Sequence, residues 1–419
     1  MKKLALSLLP LIAFAQSFIV SDIPLPKTYI ENVDPYRCDE ECLQEYLNND
    51  MIFSFLAHAS TSLNDESLQE SKSIYMSVLN MGAFHSNATL KIAMLLPSKK
   101  IGKYAATTTN AAFSYLLQTG NPFVLKSYNI QSEETQEIQT ALLNIQTDGF
   151  DYVIAPFTKM GVENTIEIDP SIHIYFPTIN KKDVNTSSNY LYFGGIDYEA
   201  QSDMLLKEAT SPLVIFSDKS SLGRKLAAYQ EDSFINPHSD INELEYTEES
   251  AFDTEAAPEE KKEVIKYFLS RRTTNLEPYL KDNEKIIEGS FFINTPIIKS
   301  GMILSQLTLY DTNATNVLST QINYNPLLLS MTQYVDRKHM IVANSLTTNN
   351  NVLIETNSLL NNDIVYDWIN YSTTVGADYF HSLITNEPRK YDIPLNENQM
   401  AYGIELLKPS LSKFIPYSR

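Results

Sequence analysis

The stretch Lys91-Ile-Ala-Met-Leu-Leu-Pro97 opens a run of short apolar segments, each followed by a polar turn and an amphipathic stretch. Its successors are Phe123-Val-Leu-Lys-Ser-Tyr128, Asp151-Tyr-Val-Ile-Ala-Pro156, His173-Ile-Tyr-Phe-Pro177 and Pro212-Leu-Val-Ile-Phe-Ser217. Near-continuous apolar runs, rather than strict alternation, mark strands buried on both faces. Alternation of such strands with helices predicts the α/β class, with parallel sheets covered on both sides. Ligands in these sheets sit beyond the carboxyl ends of the strands, which is where candidate binding residues belong.

Working outward, a second series of strands reads at Gly289-Ser-Phe-Phe-Ile-Asn294, Val317-Leu-Ser-Thr320 and His339-Met-Ile-Val-Ala343. Helical spacing of apolar residues predicts helices after Gly102, after Ser132-Glu133-Glu134, over 158–166, over 220–229 and over 259–269. Segments 364–383 and 398–407 read as helices that close the structure. Upstream, apolar positions at helical spacing over 39–57 and from about residue 65 predict a hairpin too small for a core of its own. The predicted division is a signal peptide at 1–15, an extended segment and helical hairpin at 16–88, and lobe 1 at 89–208. Lobe 2 follows at 209–338, then a crossover with closing helices at 339–419.

Met1-Lys2-Lys3, an apolar stretch to Phe14 and the sequence Ala13-Phe14-Ala15 match a secretory signal peptide. The apolar stretch is shorter than the roughly 20 residues of a spanning helix, and no later segment is long enough. The expected location is the periplasm, with no stable membrane insertion after signal removal. A net charge of −19 disfavours nucleic acid as a partner. Between Glu231 and Glu260 carboxylates meet no Lys or Arg, the pattern of a solvated loop. The only cysteines, Cys38 and Cys42, lie four apart, about 6 Å at Cα in a helix and within disulfide reach. Export favours that bond.

The order of elements resembles the type I periplasmic binding protein fold, two α/β lobes joined by crossing strands. Ile92-Ala-Met-Leu-Leu-Pro97 is similar to that family's first strand. Val153-Ile-Ala-Pro-Phe-Thr158 and Tyr175-Phe-Pro-Thr178 resemble strands ending in Pro and a hydroxyl residue. Tyr192-Phe-Gly-Gly-Ile-Asp-Tyr198 sits where the family crosses towards its second lobe. Leu117-Gln-Thr-Gly-Asn-Pro-Phe123 lacks the glycine pair usual in amino-acid-binding members. The pattern looks nearer to the divergent branch represented by the C-terminal domain of LpoA-type activators of penicillin-binding proteins. Those are lipoproteins, and this chain has no cysteine at the expected cleavage point. The resemblance implies ligand contacts from Thr158, Thr178 and Asn180 on one lobe and from Ser217 and Asp218 on the other.

Catalytic signatures are absent: there is no G-x-S-x-G, P-loop, G-x-G-x-x-G or H-E-x-x-H, and the six histidines are scattered. No catalytic residue, metal ligand or cofactor is expected. Asp183-Val-Asn185-Thr-Ser187 and Asp311-Thr-Asn313-Ala-Thr315 fit the bacterial N-glycosylation pattern, an acid two residues before Asn and Ser/Thr two after. The expected role is non-catalytic: a periplasmic binding or regulatory protein docking on cell-wall synthesis or other envelope machinery. The alternative is the solute-binding component of an ABC-type uptake system for an amino acid or similar small polar molecule.

Overall fold

The computed structural model describes residues 30, 32, 36, 38–59, 63, 65–79, 89–237, 262–346 and 350–418. The expected signal peptide and most of the acidic block lie outside the described residues. The chain divides into two compact units, residues 1–86 and 87–419.

In the first unit, helices Glu40–Asn48, Ile52–His58 and Glu66–Val78 surround a small core of Leu43, Phe55, Leu56, Ala59 and Leu68. The periodicity predicts one helix over 39–57, yet the chain breaks after Asn48, with Asp50 in the left-handed region at φ 55°. Asn48-Asn49-Asp50 explains the break, since Asn and Asp are weak helix formers that tolerate this conformation. Cys38 and Cys42 are disulfide-bonded with Cα atoms 5.4 Å apart. Cys38 lies ahead of the helix rather than within it, because Asp39 is the cap: its carboxylate accepts from the Cys42 amide at 3.0 Å.

The second unit holds two seven-stranded sheets. In lobe 1, β1 (Leu90–Leu96), β2 (Phe123–Asn129), β3 (Tyr152–Ile154), β4 (His173–Phe176) and β5 (Leu191–Phe193) lie parallel in the order β2-β1-β3-β4-β5. In lobe 2, β6 (Leu213–Asp218), β7 (Val264–Leu269), β8 (Ser290–Asn294), β9 (Asn316–Ser319) and β10 (Met340–Asn344) repeat that order as β7-β6-β8-β9-β10. Each sheet is completed from the same distant segment. β11 (Leu395–Asn396) and β12 (Gln399–Met400) extend lobe 1 beyond β5, and β13 (Glu405–Pro409) and β14 (Phe414–Pro416) extend lobe 2 beyond β10.

Two expected helices are therefore corrected to strands. Over 259–269 the run Val264-Ile-Lys-Tyr-Phe-Leu269 is β-branched and aromatic, and it pairs as the edge strand β7. Over 398–407 the two-residue β12 and then β13 form, their backbone satisfied by pairing with β5 and β10. Helices Ile297–Leu309 and Asn351–Leu359 join those read from the sequence.

The chain passes between lobes three times, at 194–197, after Asn344 and at 401–404. Helix Tyr198–Leu206 follows the first passage and packs in lobe 2, Leu205 joining Leu213, Ile215 and Phe292. Strand β10, which follows the predicted 338/339 boundary, lies inside the lobe 2 sheet. After β10 the chain returns to lobe 1, where helix Trp368–Thr385 lays Tyr371, Val375 and Phe380 against Tyr115 and Leu116 of helix Tyr104–Thr119. At the first passage, Gly194 and Gly195 let backbone and ring approach closely. A Cβ on Gly194 would meet the Tyr175 hydroxyl at 1.9 Å, and one on Gly195 the Ile179 carbonyl carbon at 2.3 Å.

Candidate functional site

The loops beyond β3 and β4 and the last two residues of β6 carry the residues picked from sequence. Thr158 precedes helix Lys159–Ile168, and its amide donates to Glu133 at 2.8 Å. Its hydroxyl donates to the other oxygen of the same carboxylate. Glu133 is fully buried, so these donors supply the bonds that make its burial tolerable. Thr178 donates its hydroxyl to the Phe157 carbonyl, stitching the two loops together. Asn180 donates to the Gly195 carbonyl at 3.0 Å and accepts from the Lys182 amide at 3.0 Å.

On lobe 2, Ser217 is buried and accepts from Asn294 at 3.3 Å. Asp218 accepts from the amide and hydroxyl of Ser220, which caps helix Ser221–Ile235. The structure thus joins Thr158 and Thr178 through neighbouring loops and keeps Ser217 and Asp218 on the opposite lobe. All five bond within their own lobes or to the crossing segments. Asn180 alone of the five borders the small recess between the lobes, whose volume is about 60 Å³.

What spans that recess is an ion-pair bridge. The Lys225 ammonium, on helix Ser221–Ile235 of lobe 2, lies 2.6 Å from Asp183 of lobe 1 and 2.9 Å from Glu199. Lys182 pairs with Asp197 at the first passage between lobes. Burial pulls the Lys225 ammonium down, but Asp183 and Glu199 more than offset this and hold it above the ordinary lysine value. Asp183 stands out in the sequence only as the acid of a sequon, and nothing there points to this bridge. Asp183 and Lys225 lie 42 positions apart on different elements, so no local spacing connects them.

Aromatic rings close the gap further along. Tyr198 meets Trp368 edge-on with centroids 6.3 Å apart, and Tyr324 of lobe 2 lies 5.0 Å from Tyr366. Burial, with the Asp367 charge adding to it, pushes the Tyr104 hydroxyl up to about 12. A larger recess of about 680 Å³ opens beside the crossing segments, bordered by Lys181, Asn185, Glu397, Gln399 and Tyr402 among others. Its Lys181 donates to the Glu397 carbonyl at 2.7 Å, and Gln399 donates to the Gly195 carbonyl at 3.1 Å. Among the described residues no group of three or more metal-ligating side chains gathers. No helix among them is long and apolar enough to cross a membrane.

Two lobes of identical strand order, joined by three passages and completed by one returning segment, define the architecture. The fold is that of the type I periplasmic binding proteins. Similar solved structures include a periplasmic ligand-binding protein of a branched-chain amino acid ABC transporter from Burkholderia xenovorans. It is 8% identical with a TM-score of 0.56, covering 79% of this chain and 95% of that one. The branched-chain amino acid substrate-binding protein LivJ from Streptococcus pneumoniae, solved with isoleucine, is 10% identical with a TM-score of 0.53, covering 78% and 97%. Full-length LpoA from Haemophilus influenzae is 12% identical with a TM-score of 0.50, covering 90% of this chain and 65% of that one. No family model matches the sequence, and no curated protein does. At these identities the likeness is one of type I binding-protein fold.

Proposed function

We propose that this chain is a periplasmic, non-catalytic binding or regulatory protein that docks on an envelope protein, with cell-wall synthesis machinery as the favoured class of partner. The observation carrying this reading is the bridged gap between the lobes. Lys225 ties the lobes through Asp183, and the residues expected to hold a small ligand bond within the protein. A recess of about 60 Å³ holds no amino acid or sugar, whereas ligand sites measure ~300–1,000 Å³. The helical unit supports the same reading, because Phe53 is 61% exposed and Ile74 54% exposed on a unit with few apolar residues to spare.

One observation favours a second reading, a solute-binding component of an uptake system. The recess of about 680 Å³ beside the crossing segments is of ligand size and mixes amides, charges and Tyr402. A thermal-shift screen against amino acids, short peptides, sugars and cell-wall fragments separates the two. A bound ligand at a hundredfold excess over Kd stabilises by about 2.7 kcal/mol. Flat melting curves, with an envelope protein recovered by cross-linking in place, are the expected result. A saturable shift with one small molecule, abolished by Tyr402→Ala, overturns the docking reading in favour of solute binding.

A further inference from the structure

The two candidate N-glycosylation sequons sit in loops of opposite character. Asn185 and Ser187 are both exposed, and the segment 185–188 belongs to no helix or strand. Among the described residues, 185–187 donate no backbone hydrogen bond, and Val184 before them is extended. Asp183, the acid of this sequon, is held by one oxygen to Lys225 on the protein surface, with about a third of its side chain exposed.

Asn313 is exposed too, but its neighbours are fixed. Asp311 and Asn313 both take left-handed backbone, at φ 51° and 49°. Thr312 is buried and bonds to the Leu307 carbonyl through its amide at 3.2 Å and its hydroxyl at 3.1 Å. Thr315, the hydroxyl residue of this sequon, donates that hydroxyl to the Glu288 carbonyl at 2.6 Å and its amide to the Gly289 carbonyl at 3.1 Å.

An enzyme that requires a hydroxyl two residues after the asparagine must touch that hydroxyl, and so must wrap the chain around it. At Asn313 this means withdrawing Thr315 and Thr312 from bonds that anchor the end of helix Ile297–Leu309 and the start of β9. At Asn185 it means releasing one surface ion pair. We propose that Asn185 is an N-glycan acceptor in the folded protein and that Asn313, despite its matching sequon, is not. In the transfer, Asn185 Nδ2 bonds to the anomeric carbon of a polyprenyl-pyrophosphate-linked oligosaccharide. The bond from that carbon to the phosphate oxygen breaks, its electron pair leaves on the polyprenyl pyrophosphate, and Nδ2 gives one proton to a base of the transferase. The glycan then stands at the rim of the larger recess, which Asn185 borders, and two residues from the bridge between the lobes.

The test incubates the purified full chain with a bacterial oligosaccharyltransferase, a divalent cation and a polyprenyl-pyrophosphate oligosaccharide, and reads intact mass and glycopeptides. Synthetic peptides spanning 180–190 and 308–318 run in parallel. The expected result is one adduct on the folded chain, at Asn185, lost in Asn185→Gln and retained in Asn313→Gln, while both free peptides accept glycan. Modification of folded Asn313 at a rate equal to or above that of Asn185 overturns the proposal. So does a bare folded chain beside modified peptides, or a 180–190 peptide that the enzyme does not accept.

Discussion

Asp378 is fully buried in lobe 1, where it accepts from the Tyr115 hydroxyl at 2.8 Å, Arg389 at 3.1 Å and the Lys390 amide at 2.7 Å. The buried charge of lobe 2 is a cation instead: Arg337 donates to the Thr332 carbonyl, to the Ser410 carbonyl at 3.0 Å and to the Leu411 carbonyl at 3.2 Å, with no carboxylate among these partners. Gln201 donates to Ser345 at 2.7 Å and accepts from the Gln321 amide at 2.9 Å, while Gln230 and Asn294 bond to each other beside them. The same strand order thus encloses a carboxylate paired with an arginine in one lobe, and in the other a guanidinium held by carbonyls beside a network of amides. The difference follows from what each lobe must hold. In lobe 1 the buried carboxylate pins residues 389–391 onto helices that come from sequence positions far apart. In lobe 2 the buried guanidinium of Arg337 pins residues 410–411, between the returning strands β13 and β14, through their carbonyls.

Asp378→Ala tests this contrast most severely. It leaves Arg389 half-buried without its counter-ion, and breaking such a pair costs about 3–5 kcal/mol. Urea unfolding should show that loss, with proteolytic cuts appearing first in lobe 1. Cuts first in lobe 2 would break the contrast.

Alkaline pH should separate the lobes next. Tyr175 in lobe 1 is completely buried, and burial pushes its hydroxyl up from 10.0 to about 12. Burial likewise raises Tyr115 and Tyr391 of the same lobe and Tyr402 of the third passage, which packs against its core. In the unfolded chain these hydroxyls ionise near 10, so above that pH the unfolded chain binds fewer protons and stability falls as pH rises. Below 10 the contribution is level. Between pH 10 and 12 the loss from Tyr175 alone is about 3 kcal/mol, read as a fall in Tm across that window. A Tm level through pH 11 would remove tyrosine burial from the account.

Gln201→Ala probes lobe 2. It strips the buried Gln321 amide of its acceptor, at a cost of about 1–3 kcal/mol, so chemical denaturation should place it below Asp378→Ala. Lys225→Ala should change stability by no more than about 1 kcal/mol, because the pair is half in water. Its signature is geometric: a wider distance between the lobes by double electron–electron resonance, approached in the unaltered protein by adding salt.

Strand positions were legible because burial on both faces writes a continuous apolar run, and β1, β6 and β8 carry little else. β7 misled because its lysine and acidic lead imitate a helix face, and only the partner β6 settles its pairing. Gln399-Met400 and Glu405–Pro409 are too short or too polar for any period, and their structure is imposed by sheet edges already in place. Helix Ile297–Leu309 passed unread behind Pro296, although a proline at a helix start is an ordinary opening. At the candidate site the five residues lie at or after strand ends, but their hydrogen-bond partners cannot be read from the sequence. Glu133 reaches Thr158 across 25 positions and Asn180 reaches Gly195 across 15. Turn residues that cap and stitch look the same in sequence as turn residues that bind.

The returning segment also sets an order of assembly. Lobe 2 builds its five parallel strands from one contiguous stretch, Leu213 to Asn344. Lobe 1 cannot cover the Tyr104–Thr119 helix until Trp368–Thr385 is available, and Tyr115 waits 263 positions for Asp378. A chain emerging amino end first from a narrow pore therefore exposes the whole apolar flank of its earlier half while the later half can already condense. The half made first waits longest for its helical cover, and a holding chaperone would find its grip there.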